Sequence, residues 1–264
     1  MLLKLKRPPA AKLDFIIVGA QKAGTTALSD LLESHPKIKM PHKDELHRII
    51  QPARHFFDDE ERFAQPEIDY APLHRGCTRK GASILLGSCT PIYIYWRSAV
   101  ERIWNYNNKI KLLVLLRNPA DRAFSHWNMQ RDRGLENLDF LAAVEAEKKR
   151  AQEAEPLQLR KFSYVDRGFY AEQMERVFRY FPREQVHVIK FENFRRNARE
   201  TLDAVCHFLG VEPLKKLRSA ETGSTQYARK MSSHERQCLV DLYRSDIDRL
   251  EKLLGWACSD WKQA

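Results

Sequence analysis

The sequence predicts an α/β protein, a central parallel sheet flanked by helices, and three observations carry that prediction. Short apolar runs stand at 15–18 (FIIV) and 112–116 (LLVLL), and a third strand-like stretch, QVHVIKF, covers Gln185 to Phe191. A continuous apolar run this short is the pattern of a strand buried on both faces. Each is followed by residues repeating at helical spacing, and strands alternating with helices imply a parallel sheet covered on both sides.

The elements follow in order. The first strand, Asp14 to Ala20, is ended by Gly19, and from Thr25 a helix is predicted through Ala27, Leu28, Leu31 and Leu32 up to His35-Pro36. The second unit starts at Lys111, stops at Arg117-Asn118-Pro119 and turns helical from Ala120. Charged, Ala-rich residues 141–161 read as a helix and exposed linker. Arg167-Gly168-Phe169-Tyr170 precedes an amphipathic helix whose apolar side carries Met174, Val177, Phe178 and Phe181. After the third strand an Asn-capped helix runs through Leu202, Val205, Phe208 and Leu209 to Gly210. The last helix, Ser232 to Leu254, opens with Ser-x-x-Glu (Ser232 and Glu235), a capping-box pattern. No internal repeat and no second domain is evident. Residues 1–12 read as a tail and 13–264 as one domain.

Composition narrows the classes. A hydrophobic fraction of 43% fills a core, and 10% aromatic residues argue against disorder. No stretch approaches the length of a membrane span, and the charged N-terminus lacks the apolar segment of a secretory signal. The five Cys form no C-x-x-C pair and no zinc-type spacing, so reduced thiols and a cytoplasmic location are expected. Forty-five Lys and Arg against 35 Asp and Glu leave +10, a bias toward anionic partners.

Between the first strand and helix lies Gly19-Ala20-Gln21-Lys22-Ala23-Gly24-Thr25-Thr26. A strand-loop-helix of this kind aims backbone N–H groups and the positive end of a helix dipole at one point, an anion site. The hydroxyls of Thr25 and Thr26 can donate to phosphate oxygens, and Lys22 adds a full charge. The loop resembles a Walker A loop but has Thr25 directly after Gly24, where a nucleotide triphosphatase needs its Lys. The LLVLL strand ends in Arg117 rather than in an Asp that would help hold Mg²⁺, so a second phosphate, not a metal, is expected there.

VGAQKAGTTAL and LLVLLRNPADRAFSHW, with supporting matches at KDELH, RGFYAEQMERVFRYFP and YARKM, resemble the PAPS-dependent sulfotransferases (PAPS is 3′-phosphoadenosine 5′-phosphosulfate). The likeness is best to the branch of heparan sulfate sulfotransferases and their bacterial relatives, and it spans residues 14 to 261. It implies a P-loop-like nucleotide-binding fold, PAPS as co-substrate, PAP (adenosine 3′,5′-bisphosphate) as product, and no metal. It implies further that Lys22 contacts the oxygen bridging phosphate and sulfate, and that Ala23, Gly24, Thr25 and Thr26 hold the 5′-phosphate. Arg117 and Ser125 would hold the 3′-phosphate, with Tyr170 near the nucleotide and Arg229 and Lys230 closing over it. Glu45, with His47 beside it, aligns with the family's general base. Two departures surround it: Asp44 stands where a Lys is usual, and Arg48-Ile49 where an aromatic pair is usual, with His55-Phe56-Phe57 a few residues later. His47, His55 and His126 are rival bases. Thr90 and Tyr93 fall in the acceptor-side segment.

The leading expectation is metal-independent, in-line transfer of a sulfuryl group to a hydroxyl or amine of a small metabolite or oligosaccharide. No nucleic acid or membrane partner is expected, and oligomeric state is open. A nucleotide kinase or ATPase, and a basic nucleic-acid-binding module, remain the alternatives. Protection by PAP, compared with ATP plus Mg²⁺ and with DNA, discriminates among them.

Overall fold

The computed structural model describes residues 11–40, 55–74, 84–215 and 227–263. Five strands, β1 (Phe15–Gly19), β2 (Ile38–Lys39), β3 (Leu85–Cys89), β4 (Lys111–Leu116) and β5 (Val186–Lys190), form one sheet in the order β2-β3-β1-β4-β5. Every pairing is parallel. β1 lies at the centre, Phe15 opposite Gly87 on one side and Lys111 on the other, and all five of its residues are buried. That is the burial its unbroken FIIV run predicts.

β1, β4 and β5 are the strands legible in the sequence. β2 and β3, and the helix Ala99–Tyr106, are not. β3 reads LLGSC, short and free of β-branched residues, and its Gly87 is there because the Phe15 ring occupies the space a Cβ would take. Its pairing with β1 and β2 makes this stretch extended.

Helix starts follow local chemistry. The Asn118 side chain accepts from the N–H of Ala120 at 3.0 Å and of Asp121 at 3.3 Å, and Pro119 sits in the first turn of the helix Pro119–Asp132. Asn197 caps Ala198–Leu209, and Ser232 and Glu235 form the full capping box of Ser233–Leu254. The helix Thr25–Glu33 packs with Ala198–Leu209, while Ser233–Leu254 packs against both Tyr170–Tyr180 and Pro119–Asp132.

The chain leaves β1 toward β3 and β2 first, then returns to build β4 and β5 on the other side. The order therefore reverses beside β1, and the crevice outside the carboxyl ends of β1 and β4 is where such sheets bind ligands. Pairing between β1 and β4 shifts register between Ile17 and Gly19, at the mouth of the loop.

Candidate active site

The loop after β1 turns tightly because two residues adopt left-handed backbone, Lys22 at φ 71° and Gly24 at φ 87°. Gly24 is required twice over: its conformation disfavours a side chain, and a Cβ there would lie 2.8 Å from the Phe191 ring. The following helix, Thr25–Glu33, has no side-chain cap and no acidic residue in its first turn. Its first N–H groups thus lack the usual protein acceptor, and the positive end of its dipole is unscreened.

Lys22 is half-buried. Burial, then the positive charges of Arg117, Arg133 and Arg122, push its amine below the ordinary lysine value, with Asp132 acting the other way. A cation destabilised by cations marks a place that favours an anion. Arg117, immediately after β4, donates from Nη1 to the Lys22 carbonyl at 3.2 Å, and its guanidinium lies 5.0 Å from the Phe191 ring centre. Lys22, Ala23, Gly24, Thr25 and Arg117 are therefore brought together. Thr25 is buried and Thr26 exposed.

Ser125 is buried two turns into the helix that starts after Arg117, and its Oγ accepts from the Tyr227 hydroxyl at 2.7 Å. Tyr170 is fully buried. Its hydroxyl donates to the Arg117 carbonyl at 3.0 Å and its N–H to Asp246 at 2.7 Å, so it meets the site through the Arg117 backbone. Arg229 is exposed and forks onto Glu235 at 2.6 and 2.8 Å, beside the rings of Phe124 and Trp127; Lys230 is exposed.

On the other side, Thr90 and Tyr93 are buried next to the end of β1, the N–H of Thr90 donating to the Ile17 carbonyl at 3.0 Å. The Tyr93 hydroxyl accepts from the N–H of Phe56 at 3.1 Å and of Phe57 at 3.3 Å. Glu45 and His47 lie outside the described residues. His55 is half-exposed, its Nδ1 3.0 Å from the buried Asp58 carboxylate. His126 is fully buried, and burial followed by Arg167, Arg122 and Lys22 drives its pKa well down, so it is neutral.

Two features escape sequence reading. Phe191, the residue after β5, presents its ring to both Gly24 and Arg117, and with Arg117, Asp121, Glu192, Arg195 and Arg196 lines a cavity of about 360 Å³. Arg167 donates to the Gln21 side chain in the loop. Neither has a local signature, because each partnership joins distant parts of the chain. Among the described residues no three His, Cys, Asp or Glu side chains gather as a metal-holding group, and no helix is long and apolar enough to cross a membrane.

Comparison with known proteins gives a consistent result. The family described as "Sulfotransferase domain" matches residues 12–241. The mouse heparan sulfate glucosamine 3-O-sulfotransferase 5 is 27% identical over 206 residues, covering 75% of this chain and 53% of that protein. The human bifunctional heparan sulfate N-deacetylase/N-sulfotransferase 3 is 28% identical over 210 residues, covering 75% of this chain and 22% of that protein. The chain thus spans about half the length of the first relative and about a fifth of the second. Among solved structures, a sulfotransferase from Alicyclobacillus acidocaldarius superimposes with a TM-score of 0.81 at 28% identity, covering 96% of this chain and 100% of that one.

Proposed function

The chain belongs to the sulfotransferase domain family, and we propose that it moves a sulfuryl group from PAPS to a hydroxyl or amine of an oligosaccharide or small molecule. One observation carries this: an uncapped helix start, a left-handed Lys22 and Arg117 bonded to the Lys22 carbonyl form a single cationic cradle at the switch point of the sheet. PAPS supplies an activated sulfur with a good leaving group and two phosphates to grip. The N–H groups opening the helix Thr25–Glu33 and the Thr25 hydroxyl suit the 5′-phosphate. Arg117 and Ser125 suit the 3′-phosphate, Arg offering a planar pair of donors and Ser a hydroxyl. Tyr227, on Ser125, belongs to the stretch that ends in Arg229 and Lys230, which fits a closing segment.

In transfer, the acceptor oxygen or nitrogen forms a bond to sulfur as the bond from sulfur to the bridging oxygen breaks. Negative charge grows on that bridging oxygen, and Lys22 stabilises it more in the transition state than in the ground state. The acceptor's proton leaves to a carboxylate, for which Glu45 with His47 is our candidate. Arg117 at the strand end, where a metal-dependent nucleotide enzyme needs an acidic residue, supports transfer without a divalent ion. The relatives' names include heparan sulfate, and a glycan acceptor for this chain is proposed by analogy with them.

The test combines binding and turnover. PAP should raise the melting temperature where ATP with Mg²⁺ and DNA do not, and label from ³⁵S-PAPS should pass to an acceptor with EDTA present. Loss of transfer in EDTA, restored by Mg²⁺, would overturn the metal-independent mechanism; absence of PAP protection would overturn the PAPS assignment.

A further inference from the structure

Lys22 has a backbone that side chains avoid. A non-glycine residue at φ 71° is strained and persists only where its surroundings over-determine it. One restraint is Arg117 on the Lys22 carbonyl. The second reaches the preceding residue: Arg167 Nη1 donates to Gln21 Oε1.

Arg167 is an expensive way to make that bond. It is 2% exposed, and its three nitrogens bond to neutral acceptors: Nε to Ser163 Oγ at 2.7 Å, Nη1 to Gln21, and Nη2 to the Arg160 carbonyl. Burying a guanidinium on neutral partners is unfavourable unless each bond is held well. Burial, then Arg122, pushes its pKa down to about 9. The turn that delivers it, Asp166–Gly168, is fixed from several directions. Glu147 accepts from the N–H of Val165 at 2.7 Å and of Asp166 at 2.9 Å; the Tyr243 hydroxyl donates to the Val165 carbonyl at 2.8 Å, and the Tyr95 hydroxyl to Asp166 at 2.8 Å. Gly168 permits this packing, since a Cβ there would come within 2.5 Å of the Tyr243 oxygen. The Arg167 guanidinium also lies 4.8 Å from the Tyr95 ring centre. A mount this rigid presents one side chain to the loop, one residue away from the strained lysine.

We propose that Gln21 and Arg167 are positioning residues that hold Lys22 in its left-handed conformation with its ammonium aimed at the transferring group. This rests on the role of Lys22 in sulfuryl transfer set out above. Arg117 holds the same backbone from its carbonyl side, so the two arginines grip Lys22 from both directions.

The test uses Gln21→Met, which keeps the length of the half-buried side chain and removes the acceptor, so that the Arg167 mount stays intact. Arg167→Lys, which keeps the charge and loses the fork, is the partner variant. Four quantities are read: melting temperature, PAP affinity by calorimetry, PAP formed from PAPS with chemically desulfated heparan sulfate as acceptor, and the pH dependence of Lys22 amine labelling followed by mass spectrometry. Gln21→Met leaves one buried Arg167 N–H without its acceptor, so its melting temperature should fall by a few degrees. It should keep its PAP affinity, lose about 10- to 100-fold in turnover, and label at Lys22 with a pH midpoint shifted up toward an ordinary lysine. Turnover and labelling equal to the wild type in Gln21→Met, with Lys22→Ala inactive, would overturn the positioning role alone. Losses of melting temperature and PAP affinity that match the loss in turnover would also overturn it, assigning the pair to the fold. Wild-type turnover in Lys22→Ala would instead overturn the function assigned to Lys22, on which the pair depends.

Discussion

The loop 19–26 and the segment from His55 to Phe63 treat their polar groups in opposite ways. In the segment most polar groups find partners in the surrounding protein. The Glu60 carboxylate accepts from Trp96 Nε1 at 2.6 Å, Ser98 Oγ at 2.8 Å and Arg102 Nη1 at 3.1 Å. Burial alone would raise its pKa, and these donors more than offset it, leaving it lowered. Asp59 caps the short helix Glu60–Phe63, Asp58 takes the Arg160 guanidinium, and the Tyr93 hydroxyl takes two backbone N–H groups. In the loop, by contrast, the helix start has no side-chain cap, and the Lys22 ammonium is crowded by other cations. A segment whose donors and acceptors close on one another serves as support. One whose donors converge without acceptors is built to take an anion.

Substitutions that break this contrast should rank accordingly. On the role proposed for Lys22, acting on charge that develops in transfer, Lys22→Ala should lower turnover by about 10²- to 10³-fold with PAP affinity nearly unchanged. Steady-state kinetics beside calorimetry with PAP checks the split. Equal losses in both would make Lys22 a ground-state anchor.

Arg117→Ala should weaken PAP by about 10- to 100-fold, the worth of a charge-assisted pair of donors. Adenosine 5′-phosphate, which lacks the 3′-phosphate, should bind the variant and the wild type alike. A parallel loss for both nucleotides would place Arg117 on the 5′ side.

Glu60→Gln tests the supporting segment. Three donors lose their charged acceptor, so stability should fall by about 1–3 kcal/mol, a drop of several degrees in melting temperature, while PAP affinity stays constant. Weaker PAP binding at unchanged stability would contradict the division between support and site.

The smallest effect belongs to the C-terminal pair. Arg229, then the N–H and hydroxyl of Ser232 after a cost from burial, holds the Glu235 carboxyl down at about 2. A carboxyl whose folded pKa is depressed contributes stability above its unfolded value near 4.5 that is lost as pH falls toward 2. Because Arg229 is partly exposed and screened, the contribution should be about 1 kcal/mol. Denaturant titrations between about pH 5 and pH 2 should show a shallower acid loss in Glu235→Gln. An unchanged slope would mean that the pair contributes nothing.

Much of the donor side of this site was legible in the sequence. A buried apolar run, the order Gly-x-x-x-x-Gly-Thr-Thr and the Asn118-Pro119 helix start are all signals spanning ten residues or fewer, and backbone sterics and capping translate such signals directly into structure. They determined β1, its loop, β4 and the placement of Lys22, Gly24 and Arg117. Tertiary structure alone decided the rest. Arg167 and Gln21 are 146 positions apart, Arg117 and Lys22 are 95, and Tyr170 meets Arg117 across 53. Nor does any local pattern mark the Phe191 ring as the neighbour that forbids a side chain at Gly24. The Arg117 and Phe191 pairings exist because β4 lies beside β1 and β5 beside β4 in a parallel sheet, which carries the residues at their carboxyl ends to one crevice. Local chemistry chose the groups that can hold an anion; the order of the strands chose which of them would meet.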